Sequence, residues 1–261
     1  MISKERRVRF CLLLCAIFLQ PEFALAVATD ITVRVIARNA QYVGDLVEGA
    51  FVTITDAASG EVLAQGITRG DAGNPKRTMR MARKRGESMA DEGDAKFSAT
   101  LDIDEPRHVE VRAYGPLDER YSANRATATQ WIVPGKHITE GDGWVLELPG
   151  LLVAPNLAAS SVSLSQATSG VLIQAEVMLM CGCPIKPDFY WDPADYEVVA
   201  IVYRGAKEVA RLQLEYAGAA SEFETRFSTP LPGVYEISVY AYDSASGNTG
   251  VGKIGLTVND E

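Results

Sequence analysis

Apolar and polar residues alternate along much of the chain from residue 29 onwards. Ile31, Val33 and Val35 alternate with Thr32 and Arg34, which is the pattern of a β-strand with one face on a core. The same reasoning predicts strands at 50–54, 62–67, 97–103, 109–113 and 144–148. The turn sequence D-A-A-S-G joins the second and third strands as a hairpin. No stretch has a long helical period, so we expect an antiparallel β-sandwich.

The second half of the chain repeats this rhythm after a break rich in proline and glycine at 148–155. The predicted strands are 161–164, 171–180, 196–203, 209–216, 223–227, 234–242 and 250–258. Seven short strands at this spacing predict an immunoglobulin-like sandwich. The sequence therefore predicts an all-β protein with two consecutive antiparallel sandwiches, at 27–150 and 151–261. A segment at 75–94 interrupts the first as an insertion.

Two segments resemble known β-sandwich families. The run V-E-G-A-F-V-T-I-T-D-A-A-S-G-E-V-L-A-Q-G-I-T-R-G-D-A-G, residues 47–73, resembles carboxypeptidase regulatory-like and transthyretin-like modules. The run P-L-P-G-V-Y-E-I-S-V-Y-A-Y-D-S-A-S-G-N-T-G, residues 230–250, resembles bacterial immunoglobulin-like domains. The resemblance to the first group implies a non-catalytic spacer or binding unit. A shared fold alone does not assign a function.

The amino terminus has the pattern of a cleaved signal peptide. Four basic residues lie within positions 4–9, the apolar run 10–19 follows, and Ala24-Leu25-Ala26 is an A-x-A cleavage site. The expected leader is therefore 1–26, and we expect the mature protein to be periplasmic or secreted. Its removal takes away four basic and two acidic residues, which shifts the net charge from -9 to -11. Such an acidic chain disfavours nucleic acid as a partner.

Cleavage leaves Cys181 and Cys183, separated by Gly182, as the cysteines of the mature chain. Three interpretations stay open. The two could be small buried residues at a strand end, or a disulfide across a bend supplied by glycine. They could also hold a soft metal such as copper together with Met178 and Met180, since thiolates and thioethers favour Cu(I). A copper-handling or thiol-redox protein is thus the alternative functional hypothesis.

Strand parity bears on these interpretations. The odd positions of 171–180 are all apolar, which predicts that they face the core. The same parity places Met178 and Met180 on the face towards solvent or a partner, and the cysteines on the core side.

Two further regions are candidates for partner binding. The first is the aromatic segment after the cysteines, whose rings would give contact area at low entropic cost: Phe189, Tyr190, Trp191 and Tyr196. The second is the basic part of the insertion, which could bind lipid headgroups, polysaccharide or an acidic protein: Lys76, Arg77, Arg80, Arg83, Lys84 and Arg85. Alternatively, the acids that follow at 87–94 neutralise these bases, and Trp191 covers the end of the sandwich.

The sequence contains no G-x-S-x-G, H-E-x-x-H or phosphate-loop motif. The two histidines, His108 and His137, do not form the cluster that an iron-dependent dioxygenase of the transthyretin-like class would need. We therefore expect a non-catalytic accessory or binding protein of the cell envelope. Its partner would be a protein or a polysaccharide, and contact with a membrane surface fits the basic insertion.

Overall fold

The computed structural model describes residues 26–118 and 122–260, so the signal peptide predicted at 1–26 lies outside the described residues except for Ala26. Within these ranges the chain is built mainly from β-strands, as the periodicity predicts, and its fold class is that of an all-β sandwich protein. No helix in the described ranges has the length and apolar character needed to cross a membrane.

Residues 27–148 form two facing sheets. The strands are β1 (Val27–Ala37), β2 (Phe51–Asp56), β3 (Val62–Ile67), β4 (Phe97–Ile103), β5 (Arg107–Gly115), β6 (Asn124–Ile132) and β7 (Trp144–Leu148). Their orders are β4-β1-β7 and β3-β2-β5-β6. A short helix, α1 (Pro75–Arg80), lies in the insertion, and a 3-10 turn spans Asp45–Val47.

Residues 151–259 form two more sheets. The strands are β8 (Leu151–Leu157), β9 (Ser161–Ser163), β10 (Val171–Leu179), β11 (Tyr196–Arg204), β12 (Lys207–Gln213), β13 (Glu215–Tyr216), β14 (Glu222–Phe227), β15 (Gly233–Asp243) and β16 (Thr249–Asn259). Their orders are β13-β14-β10-β8 and β12-β11-β15-β16-β9. A helix, α2 (Leu164–Ser169), and a 3-10 turn at Pro193–Asp195 complete this half.

The predicted core faces are confirmed. Ile31, Val33 and Val35 of β1 are buried, and so are Val171, Ile173, Ala175, Val177 and Leu179 of β10. The hairpin predicted around the D-A-A-S-G turn is β2 and β3, whose register pairs Phe51 with Ile67. Alternation therefore located the core side correctly along β1 and β10.

The structure also departs from the predicted architecture. Strand β6 was not predicted, and β8 occupies residues that the proline and glycine content assigned to a crossover. Two pairs, β1 with β7 and β9 with β16, are parallel, although we predicted antiparallel sheets throughout. The predicted strand 209–216 is divided between β12 and β13. The two parallel pairs join strands that are distant in the chain, and local periodicity does not reveal such pairing.

No strand of 27–148 pairs with a strand of 151–259 in the described part of the chain. The chain passes from the first pair of sheets to the second between Leu148 and Leu151, both fully buried. Buried side chains of both halves nevertheless form one continuous apolar cluster. The contact between the halves is therefore packed like an interior, and we call it the junction.

Candidate functional site

The Cys-Gly-Cys sequence forms a tight corner directly after β10. The Gly182 N–H donates to the Leu179 carbonyl at 2.8 Å, and Gly182 has a φ of +73°. A residue with a side chain rarely adopts this left-handed conformation. The bend brings the Cα atoms of Cys181 and Cys183 to 5.3 Å, and their sulfurs form a disulfide. Of the three interpretations of the cysteines, the structure contains the disulfide.

The corner is pressed against the first half of the molecule. A Cβ added at Gly182 would lie 2.6 Å from Cγ1 of Val47, which is closer than real contacts allow. Cys183 Sγ lies 3.5 Å from Oε1 of Gln41. Both cysteines are buried, so the disulfide belongs to the junction and is shielded from solvent.

The placement predicted for Met180 is wrong. Strand β10 ends at Leu179 and the chain turns at once, so the alternation stops and Met180 is fully buried, with Sδ near Gly150. Met178 is half-buried, as its strand position predicts. With both cysteine sulfurs joined to each other, the corner offers no thiolate to copper. The described residues contain no group of three or more His, Cys, Asp or Glu placed to hold a metal ion.

Trp191 and Tyr196 do not form part of an exposed patch, contrary to the first of the two predictions for this segment. Trp191 is 2% exposed, and its indole Nε1 donates to the Asn39 carbonyl of the first half at 2.9 Å. Tyr196 is buried too. Burial raises the pKa of the Tyr196 hydroxyl, and the charges of Asp243 and Asp195 raise it further. These two rings are interior residues, and Trp191 is a direct link between the halves.

Asn248 makes a second polar link at the junction. Its side-chain oxygen accepts from the Gly150 N–H at 3.0 Å, and its side-chain nitrogen donates to the Arg38 carbonyl at 3.0 Å. Asn248 is 1% exposed. Because both backbone partners lie at or before the crossing point, a single amide side chain holds the turn between β15 and β16 against the end of the first half.

Phe189 and Tyr190 are half-exposed, and a cationic side chain lies over the ring of each. The Arg80 guanidinium lies 4.7 Å from the centre of the Tyr190 ring, and Lys186 Nζ lies 4.3 Å from that of Phe189. The two rings meet edge to face at 5.1 Å. The structure thus joins the aromatic segment to the basic insertion, two regions that the sequence treats separately. Lys76 precedes Arg80 by one turn of α1 and lies on the same side.

We call the set Lys76, Arg80, Lys186, Phe189 and Tyr190 the junction surface. Three of the other predicted bases are paired with acids, and Arg85 makes no cation–π contact in the part of the chain that the structure describes. Arg77 pairs with Asp91, Arg83 with Asp142 at 3.1 Å, and Lys84 with Glu87 at 3.4 Å, while Arg85 is exposed. The expectation that acids of the insertion neutralise its bases therefore holds for Arg77 and Lys84.

Asp142 fastens the insertion to the first half. Its carboxylate accepts from the Ser88 hydroxyl at 2.8 Å, the Met89 N–H at 2.7 Å and the Ala90 N–H at 3.0 Å. Burial raises the pKa of this carboxyl, but these hydrogen bonds and Arg83 outweigh burial and lower it below its usual value. The insertion is therefore held in place at the loop that precedes β7.

Sequence reasoning missed Lys186, Asn39 and Asn248. Lys186 precedes Phe189 by three residues in a proline turn, and this spacing is the signal that could have suggested their contact. Nothing local marks Asn39 or Asn248, since each acts on backbone that is far away in the sequence.

Comparisons with known proteins do not assign the chain to a family. No family model and no curated protein matches it. Among solved structures it is similar to fibronectin(III)-like modules of Clostridium thermocellum CbhA, at 12% identity over 89% of this chain and 94% of that one, with a TM-score of 0.27. A chimeric titin Z1Z2 matches at 15% identity over 91% of this chain and 100% of that one, with a TM-score of 0.23.

Proposed function

We propose that this chain is an exported, non-catalytic binding protein of the cell envelope, whose two β-sandwich halves act as one unit. Its junction surface binds an acidic site on a partner protein. The observation that carries the proposal is the meeting of Arg80 and Lys186 with Tyr190 and Phe189 across the two halves. The resemblance of residues 47–73 to regulatory-like modules supports the same class of function.

The electrostatics of the chain favour an acidic partner at this place. The formal net charge is -9, so a group of three cations, of which Lys76 and Arg80 are exposed and Lys186 is half-buried, differs from the average surface. Arginine and lysine over aromatic rings keep their donors available for a carboxylate. Aromatic and arginine side chains are also enriched at protein interfaces.

The rigidity of the junction supports binding through both halves. The Trp191 and Asn248 hydrogen bonds and the buried disulfide corner restrict relative motion of the halves. A surface that is already ordered loses less conformational entropy on association than one divided by a hinge. This rigidity is what a surface assembled from α1 and the 186–190 segment needs.

The proposal can be tested by photo-crosslinking in cells that produce the full chain with its own leader. A photoreactive phenylalanine analogue replaces Phe189 in one variant and exposed Tyr242 of β15 in the control. We expect a discrete crosslinked protein from position 189 in the periplasmic or secreted fraction. The double substitution Arg80→Glu, Lys186→Glu should abolish this crosslinked product. Lys207→Glu, which reverses the charge of an exposed residue on β12, should not. Identical products from both positions, or insensitivity to the doublet, would contradict the proposal.

A further inference from the structure

Trp131 differs from the other two tryptophans of the chain. It is 66% exposed on β6, whereas Trp144 and Trp191 are 8% and 2% exposed. Its ring lies against His108 of the neighbouring strand, with centroids 5.2 Å apart. This contact orients the indole without covering it. An exposed tryptophan held in one orientation is a large apolar surface that the fold itself does not use.

The sheet face beside Trp131 is polar, and its nearest charged side chains are paired with each other. Thr127 and Thr129 lie on the same side of β6, and opposite them on β5 are Arg112 and Glu110. Arg112 donates to Glu110 at 2.8 Å, so the two charges cancel. Next to them on β2 are Thr53 and Thr55.

The hydroxyl groups on this face are available. Within residues 26–118 and 122–260, those of Thr53, Thr127 and Thr129 make no hydrogen bond to the protein, and Thr127 and Thr129 are exposed. β6 is an edge strand, so one side of this row is open. Residues two apart on a strand are ~6.7 Å apart, so the row from Trp131 to Thr127 spans ~13 Å.

We propose that this face, defined by Trp131, Thr129, Thr127, Glu110 and Arg112, binds a neutral β-linked glycan chain. A pyranose ring with equatorial hydroxyls has an apolar C–H face and a polar rim. The exposed indole matches the first. The threonine hydroxyls and the Arg112–Glu110 pair match the second, because they supply both donors and acceptors.

Charge and composition favour this occupant over others. Beside Trp131 a charged polymer would find no unpaired counter-charge, because exposed Arg125, on the same side of β6, lies six residues away, ~20 Å along the strand. A neutral polymer has no charge to desolvate. Apart from exposed Val133, the neighbours of Trp131 on this face are His108, threonines and a salt bridge, so the face lacks the cluster of aromatic anchors typical of a protein hot spot.

The glycan surface is independent of the junction surface. Asn124, at the other end of β6, donates to the Pro149 carbonyl at the crossing between the halves. Trp131 lies seven residues further along this strand, ~23 Å away. The two proposals can therefore succeed or fail separately.

Titration with cellohexaose and chitohexaose, two neutral β-linked hexasaccharides, tests the inference on the mature protein. Because Trp131 is the exposed tryptophan, we expect at least one of the sugars to shift the tryptophan fluorescence to shorter wavelength. The same sugar should reduce the quenching of this fluorescence by acrylamide. In calorimetry, Trp131→Ala should weaken binding by at least about tenfold and Thr129→Val by about threefold. Tyr242→Ala, which removes an exposed ring in the other half, should leave binding unchanged, as should the Arg80→Glu, Lys186→Glu doublet.

Three results would overturn the inference. The first is no spectral or calorimetric response to either sugar up to about 10 mM. The second is equal sugar binding by wild-type protein and a Trp131→Ala variant with an unchanged circular dichroism spectrum. The third is a fall from dimer to monomer on Trp131→Ala in sedimentation equilibrium, without any sugar response. That last result would make this face a contact with a second copy of the chain.

Discussion

Trp191 and Trp131 place the same side chain in opposite environments. Trp191 is buried at the junction and hydrogen-bonded to the Asn39 carbonyl, while Trp131 is exposed on the outer face of a sheet. The sequence around Trp191 is rich in cysteine, proline and aromatic residues, and it suggests a functional site. Its cysteines, Met180 and Trp191 are interior structure. The plainer strand around Trp131 carries the exposed ring, so unusual composition and availability for binding are separate properties.

Replacing each tryptophan by alanine should separate the two environments most clearly. Trp191→Ala removes a buried ring and leaves the Asn39 carbonyl without its donor, so we expect a loss of about 3–5 kcal/mol in the free energy of unfolding. Trp131→Ala is the matched control and should change it by no more than about 0.5 kcal/mol, because little contact is lost. Urea denaturation followed by circular dichroism measures both. Equal losses would show that Trp131 is also a structural residue.

Asn248→Ala should have the next largest effect. It leaves the Gly150 N–H and the Arg38 carbonyl without their partner at a buried site, which should cost about 2 kcal/mol. Asn259→Ala is a suitable control, since the Asn259 amide bonds the Ser161 hydroxyl at an exposed position. We expect less than about 0.5 kcal/mol there, again by urea denaturation. Similar values for the two would contradict a buried link at Asn248.

Removing the disulfide should destabilise the junction more mildly. The bond closes a loop of only three residues, for which the chain-entropy relation gives about 1.5 kcal/mol. The variant is the doublet Cys181→Ala, Cys183→Ala, compared with wild type by urea denaturation. Intact mass of non-reduced wild type should be lower by two hydrogens than that of reduced protein. Two alkylatable thiols in native protein purified without reductant would contradict the bond.

Asp142 should produce the smallest effect, visible as a dependence on pH. Its pKa is lowered in the folded protein, so its contribution is complete above the unfolded value and is lost as the pH falls below about 4. Asp142→Asn should therefore reduce the slope of the unfolding free energy against pH on the acid side. The reduction should be smaller than the slope that one bound proton produces. Urea denaturation at a series of pH values from about 6 to about 3 measures this slope. Asn259→Ala, an exposed change that removes no titratable group, should leave the slope unchanged.

The sequence was sufficient for the fold class because period-two alternation needs only local information. The buried residues of β1 and β10 follow it residue by residue. β6 escaped because alanine and threonine alternate in it with little contrast in hydrophobicity. β8 escaped because its proline and glycine neighbours resemble a linker.

The site was less predictable, because its contacts cross between the halves. Arg80 and Tyr190 are 110 positions apart in the chain, and no periodic pattern places one over the other. Met180 was misplaced because the corner at Gly182 ends the strand one residue earlier than the apolar run indicates. Sequence reasoning thus identified most of the residues of the junction surface, but not that they form a single surface.

The packing of the junction predicts that the two halves unfold as one cooperative unit, and scanning calorimetry of the mature protein can measure this. We predict one transition in which the calorimetric enthalpy equals the van't Hoff enthalpy. In Trp191→Ala the same scan should show the halves unfolding separately. Two resolved transitions in the wild-type protein would contradict this prediction, because the halves would then be independent and the junction surface would not be held together.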